Sequence, residues 1–168
     1  ATLELPAEGK AKSYAIFAHC FTCSKDLAAV RNITRALSSN GFGVLRFDFT
    51  GLGRSEGEFK DSHFTANIED LMDAAAFLEQ SYTSPSILIG HSLGGAACIQ
   101  AASEMKGLKG LVTIGSPANP AHVKHLIDTS ALKDEESVTV KIGGRPFEVD
   151  AAFVKHLDKN DGLSVLAK

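Results

Sequence analysis

A chain of 168 residues, 44% apolar and 22% charged, has the size and composition of one soluble globular domain. Its formal net charge of -3 offers no basic excess to neutralise phosphates, which argues against a nucleic-acid or anionic-membrane partner. No apolar run approaches the roughly 18 residues that a membrane span needs, and no charged-then-apolar leader opens the chain.

Thr2 to Pro6 alternates weakly and reads as an edge strand stopped by its proline. Tyr14 to Ala18 is a continuous apolar run, the pattern of a strand buried on both faces. It leads into His19-Cys20-Phe21-Thr22-Cys23-Ser24, where Ser24 is an expected N-cap with Asp26 in the first turn. Leu27, Val30, Thr34 and Leu37 recur at helical spacing, and Asn40-Gly41 closes that helix. Val44 to Asp48 is the next strand and runs into a glycine-rich loop, Phe49 to Gly57. Ile68, Leu71, Met72, Ala75 and Leu78 form one helical stripe that must end before Pro85. Ile87 to Ile89 is a third buried strand, an alanine-rich helix follows it, and Leu108 to Gly115 is a fourth strand.

Strands alternating with helices imply right-handed βαβ units, a mostly parallel sheet and three αβα layers. After Gly115 the rhythm changes. Val123, Leu126 and Ile127 suggest a short helix, and Val138 to Ile142, Gly143-Gly144 and Pro146 to Val149 read as a hairpin. Asp150 can cap a last helix reaching His156. The expected organisation is a single domain over 1–168: a core over 1–118, a lid-like insertion over 119–160 and an incomplete end over 161–168.

The stretch that carries chemistry is Gly90-His91-Ser92-Leu93-Gly94, at the junction of a strand and a helix. Gly-x-Ser-x-Gly in that setting is a nucleophile elbow, a sharp turn that lifts one hydroxyl above the sheet. Ligands of parallel sheets bind at the carboxyl ends of the strands. The loops His19 to Cys23, Asp48 to Ser55 and Gly90 to Gly94 are therefore expected to converge on one crevice.

These segments together resemble the α/β-hydrolase superfamily, over roughly residues 14–117. Gly90-His91-Ser92-Leu93-Gly94 matches its elbow. Asp48-Phe49-Thr50-Gly51-Leu52-Gly53-Arg54-Ser55 matches its Asp-x-x-Gly-x-Gly-x-Ser loop. His19-Cys20-Phe21 matches its His-Gly-Phe oxyanion loop, with Cys20 where glycine is usual. The run His-Cys-Phe-Thr-Cys-Ser-Lys-Asp also resembles a subgroup in which the hydrolase precedes an OsmC-like domain. The resemblance implies Ser92 as nucleophile of an ester, thioester or amide hydrolase, and the backbone N–H groups of Phe21 and Leu93 as the oxyanion hole. Gly90, His91, Gly94, His19 and Asp48 would support that site, Asp48 as a buttress rather than a catalyst.

The family's acid and histidine normally follow the elbow in that order. His122, His125 and His156 are the histidines after Ser92, and each reads as a surface or lid residue. The acid and base are thus expected outside this chain. An odd count of three cysteines argues against a disulfide framework and for a reducing cytoplasm. Cys98 reads as core. Cys20-x-x-Cys23 supports an alternative, a thiol-redox module, and a non-catalytic scaffold is a third reading. No cofactor or metal motif is seen. The expected partners are a small acyl substrate, a fused or associated OsmC-like domain and a second copy paired along the sheet edge.

Overall fold

The computed structural model describes residues 1–58, 63–121, 137–142, 145–150, 154–155 and 157. Its main sheet has five strands: β1 (Thr2–Glu4), β2 (Ser13–Ala18), β3 (Phe42–Arg46), β4 (Ile87–His91) and β5 (Gly110–Ile114), in the order β1-β3-β2-β4-β5. β1 runs antiparallel along β3, and the other pairs are parallel. β2 lies between β3 and β4, which is why Tyr14 to Ala18 can be apolar at every position.

Alternation along the strands assigns the faces. Ala15, Phe17, Val44 and Ile89 cluster with Val30, Ile33 and Leu37 of α1 (Ala28–Ser39). Ile16, Leu45 and Leu88 point the other way, onto Leu71, Ala75 and Leu78 of α2 (Phe64–Ser81) and Ala96, Ala97 and Ala101 of α3 (Leu93–Ala102). The result is the three-layer αβα arrangement that the sequence predicts. The small side chains of α3 bury most of that helix.

Two boundaries differ from expectation. α1 starts at Ala28 rather than after Ser24, because tertiary contacts claim the residues between. Arg46 Nη1 donates to the Lys25 carbonyl (3.0 Å) and the Asp26 carboxylate (2.8 Å), and Lys25 Nζ reaches the same carboxylate (2.7 Å). Leu27 is left 39% exposed, outside the helix stripe. α2 starts earlier than its apolar stripe, at Phe64, with the His63 ring accepting from the Ala66 N–H (3.1 Å). The end of α1 is as expected: Gly41 takes φ +88° and its N–H bonds back to the Ser38 carbonyl.

Among the described residues β5 pairs with β4 alone, and its Val112 and Ile114 are among the exposed large apolar residues. β6 (Ser137–Ile142) and β7 (Arg145–Asp150) form a separate antiparallel pair, with Val138 opposite Val149. Val138, Val149 and Leu157 are buried in the same cluster as α2 and α3. The predicted helix around Val123, the Gly143-Gly144 turn, the end over 161–168 and His122, His125 and His156 lie outside the described residues. Among the described residues no helix is long and apolar enough to cross a membrane.

Candidate active site

Parallel pairing of β2 with β3 on one side and β4 on the other brings three loops to the same end of the sheet. Ser92 sits where β4 turns into α3, with φ 54° and ψ -125°. It is the one non-glycine residue at positive φ among the described residues. Such a conformation costs about 1–3 kcal/mol and persists only where the surroundings fix it. Here the Ser92 N–H donates to the Ile114 carbonyl of β5 (2.9 Å), and the Ser92 carbonyl accepts from the Gly95 N–H (2.9 Å). Close approach of backbone to backbone explains the flanking glycines. A Cβ at Gly90 would meet Gly94 and Gly95 of α3, and one at Gly94 would meet the carbonyl oxygens of His19 and Ala18. Gly94 therefore presses the start of α3 onto the loop after β2.

That loop carries Phe21, buried in the core between Cys20 and Cys23. Leu93 is buried in the first turn of α3, where helix N–H groups lack intrahelical partners. Against the expectation from an odd cysteine count, Cys20 and Cys23 form a disulfide, with their Cα atoms 5.2 Å apart. Composition cannot exclude a pair only three residues apart. Cys98 is fully buried, as predicted for a core residue, and burial pushes its thiol pKa up.

His19 is buried and hydrogen-bonded at both nitrogens. Nδ1–H donates to the Cys20 carbonyl (2.7 Å), and Nε2 accepts from the Phe49 N–H (3.3 Å). Those partners require the neutral ring. Burial holds the pKa of His19 below its ordinary value, against an opposing pull from the Cys20 carbonyl and Asp48. With both nitrogens committed, His19 is a strut between two loops and not a base for Ser92.

Asp48 is the second strut. Its carboxylate accepts from the Lys25 N–H (2.6 Å) and the Arg54 N–H (3.0 Å), and it lies 3.6 Å from both Lys25 Nζ and His19 Nε2. Its carbonyl takes the Ser55 hydroxyl (2.6 Å), while Thr50 binds Asp70 of α2 through its N–H and its hydroxyl. The glycine-rich loop is folded around Asp48 and pinned to α2. Asp26, bonded by Lys25 and Arg46, has its carboxyl pulled down to about 2.

Sequence reasoning missed two groupings. One is the set Lys25, Asp26, Arg46 and Glu4, in which Arg46 Nε approaches Glu4 Oε2 at 3.5 Å. The other brings His91 to the cysteine pair. Cys20 Sγ, Cys23 Sγ and a His91 ring nitrogen lie within 4.8 Å of one another, a set that can hold a metal ion once the two cysteines are reduced to thiols. His91 is some seventy positions away in the chain. Only the pairing of Ala18 with Gly90 brings it there.

The family model described as serine aminopeptidase, S33, matches residues 12–141. The esterase domain of a Rhodothermus marinus protein is 44% identical over 97% of this chain and 63% of its own length, with a TM-score of 0.73. Est1E from Butyrivibrio proteoclasticus, solved with ferulic acid bound, is 18% identical over 98% of this chain and 68% of its own, with a TM-score of 0.84. The mouse α/β hydrolase domain-containing protein 10 is 20% identical over 90% of this chain and 62% of its own, with a TM-score of 0.70. The last two share the fold. The chain matches no curated protein. It spans 63% of the length of the Rhodothermus esterase domain.

Proposed function

The chain belongs to the serine aminopeptidase S33 family of α/β-hydrolases, and from that premise we propose that it cleaves ester, thioester or amide bonds through an acyl-enzyme on Ser92. The observation that carries this reading is the backbone of Ser92, held at positive φ on the strand-to-helix turn with Gly94 pressed on the β2 loop. Strain of that kind marks a position over-determined by its surroundings, and the hydroxyl it lifts is the chemistry that results.

The steps follow from acyl-transfer chemistry. A base removes the Ser92 proton as Oγ attacks the carbonyl carbon, and the carbonyl oxygen becomes an oxyanion. The N–H groups of Leu93 and Phe21 stabilise that charge, one from the first turn of α3 and one from the loop after β2. Collapse expels the alcohol, thiol or amine, and water then cleaves the acyl-serine by the same route. His19, Asp48, Gly90, His91 and Gly94 position the two loops. The acid and histidine of the route come from residues other than these 168, a reading supported by the 63% of the related esterase domain that the chain spans.

The substrate is a small or medium acyl compound, with the block over 119–160 acting as a lid. The compartment is the cytoplasm, and an OsmC-like domain is the proposed fused partner, on the strength of the His19 to Asp26 run. The thiol-redox alternative has one observation in its favour, the Cys20–Cys23 disulfide.

A fluorophosphonate, which phosphonylates activated serines, tests the reading. Ser92→Ala should take no label while Cys20→Ala still does. Labelling that is absent from a wild-type protein carrying the acid and histidine, or that survives Ser92→Ala, would overturn the serine mechanism.

A further inference from the structure

We infer that the Cys20–Cys23 disulfide is a reversible clasp on the loop that carries Phe21, opened and closed by exchange with small thiols and disulfides. The inference deepens the serine-hydrolase reading and rests on it for its effect on catalysis.

The Cα atoms lie 5.2 Å apart, within the span of a disulfide, in a turn where the Cys23 N–H donates to the Cys20 carbonyl (3.0 Å). It is also reachable, since both cysteines are only half-buried, unlike Cys98. A ring nitrogen of His91 lies within 4.8 Å of both sulfurs. No other side chain of the proposed hydrolytic route needs these sulfurs.

The clasp closes directly on the site. Phe21 lies inside the four-residue ring that the disulfide makes, and its side chain is buried in the core. The Cys20 carbonyl is held by His19, the His19 carbonyl lies where a Gly94 Cβ would be, and Gly94 belongs to the turn that presents Ser92. Cys20 and the turn of Ser92 are thus linked through His19, by its ring on one side and by its carbonyl against Gly94 on the other. Closing the ring restricts the backbone of residues 20–23 and fixes the direction of the Phe21 N–H; opening it frees those dihedrals. An oxyanion donor acts through its preorganisation, so the closed form is the more reactive.

The exchange balances. A Cys thiolate attacks a low-molecular-weight disulfide, a mixed disulfide forms and one small thiolate leaves. The second Cys thiolate displaces the other. The two protein thiols have then lost two protons and two electrons, and one small disulfide has become two small thiols. Excess small thiol reverses both steps.

The test equilibrates the whole chain in oxidised or reduced glutathione and takes three readings: intact mass with and without alkylation, amide exchange over residues 20–25, and the rate of fluorophosphonate labelling. Oxidation should remove two hydrogens and protect Cys20 and Cys23 from alkylation, slow amide exchange in the loop, and raise the labelling rate at least about threefold. Reduced glutathione should reverse all three. A Cys20→Ser, Cys23→Ser double variant should stay at the reduced rate in both buffers. Two thiols that remain alkylatable in oxidised glutathione, or exchange and labelling that do not follow the redox state, overturn the clasp. So does stoichiometric uptake of Zn(II) by the reduced protein that blocks oxidation. If Ser92 takes no label in either state with the acid and histidine present, the hydrolase reading falls separately, and amide exchange alone decides the clasp.

Discussion

Two glycine-rich loops leave the carboxyl ends of strands on either side of β2, and they treat their polar groups in opposite ways. After β3, Asp48 is buried and saturated, with two backbone N–H donors, a lysine and a histidine around its carboxylate. After β4, Ser92 holds a strained backbone, and its hydroxyl has no hydrogen-bond partner among the described residues. The first loop spends its interactions on stability, and the second stores strain at the serine proposed as nucleophile. Glycine spacing alone does not separate the two roles; the partners of the polar side chain do.

Removing the charge at Asp48 should produce the largest effect. Asp48→Asn leaves the Lys25 ammonium and two backbone donors facing a neutral amide in a buried site, and should cost about 3 kcal/mol of unfolding free energy. Urea unfolding checks this, and a loss below about 0.5 kcal/mol would mean that the loop is held by other contacts. The reverse sign is expected at the second loop. Ser92→Gly removes the side chain from a positive φ and should stabilise the fold by about 1 kcal/mol while abolishing serine labelling. A destabilised Ser92→Gly would deny that the turn stores strain.

The smallest effect is a pH dependence that belongs to the strut between the loops. Burial lowers the pKa of His19 below 6.5, so between its folded and unfolded values the unfolded chain binds more protons. The stabilisation from the neutral ring is full above pH 6.5 and is lost as pH falls toward the folded value. Denaturation midpoints measured from pH 8 downward should decline below about 6.5, and His19→Gln should flatten that decline. Asp26, with its carboxyl at about 2, adds its own loss only at lower pH, as its ordinary value of 3.8 is passed.

Much of this was legible in the sequence because its signals are local. The run from Tyr14 to Ala18, the stripe of Leu71, Ala75 and Leu78, and the glycines around Ser92 each fix an element from within a few residues. The start of α1 was misread because Ser24 and Asp26 make a good cap on paper, whereas Arg46 and Lys25 take Asp26 for an ion pair. A cap signal competes with tertiary partners, and a charged network at a buried arginine wins.

By itself the sequence determined the alternation of strands and helices, the parallel sheet and the turn at Ser92, since periodicity and glycine placement act within single elements. Only the tertiary structure decided which loops touch. The order β3-β2-β4 set Asp48 beside His19, pressed Gly94 onto the His19 carbonyl and brought His91 to Cys20 and Cys23. Those partners are 29 to 75 positions apart in the chain. No local pattern encodes their contact, because strand order is fixed by packing of the whole sheet between its helices.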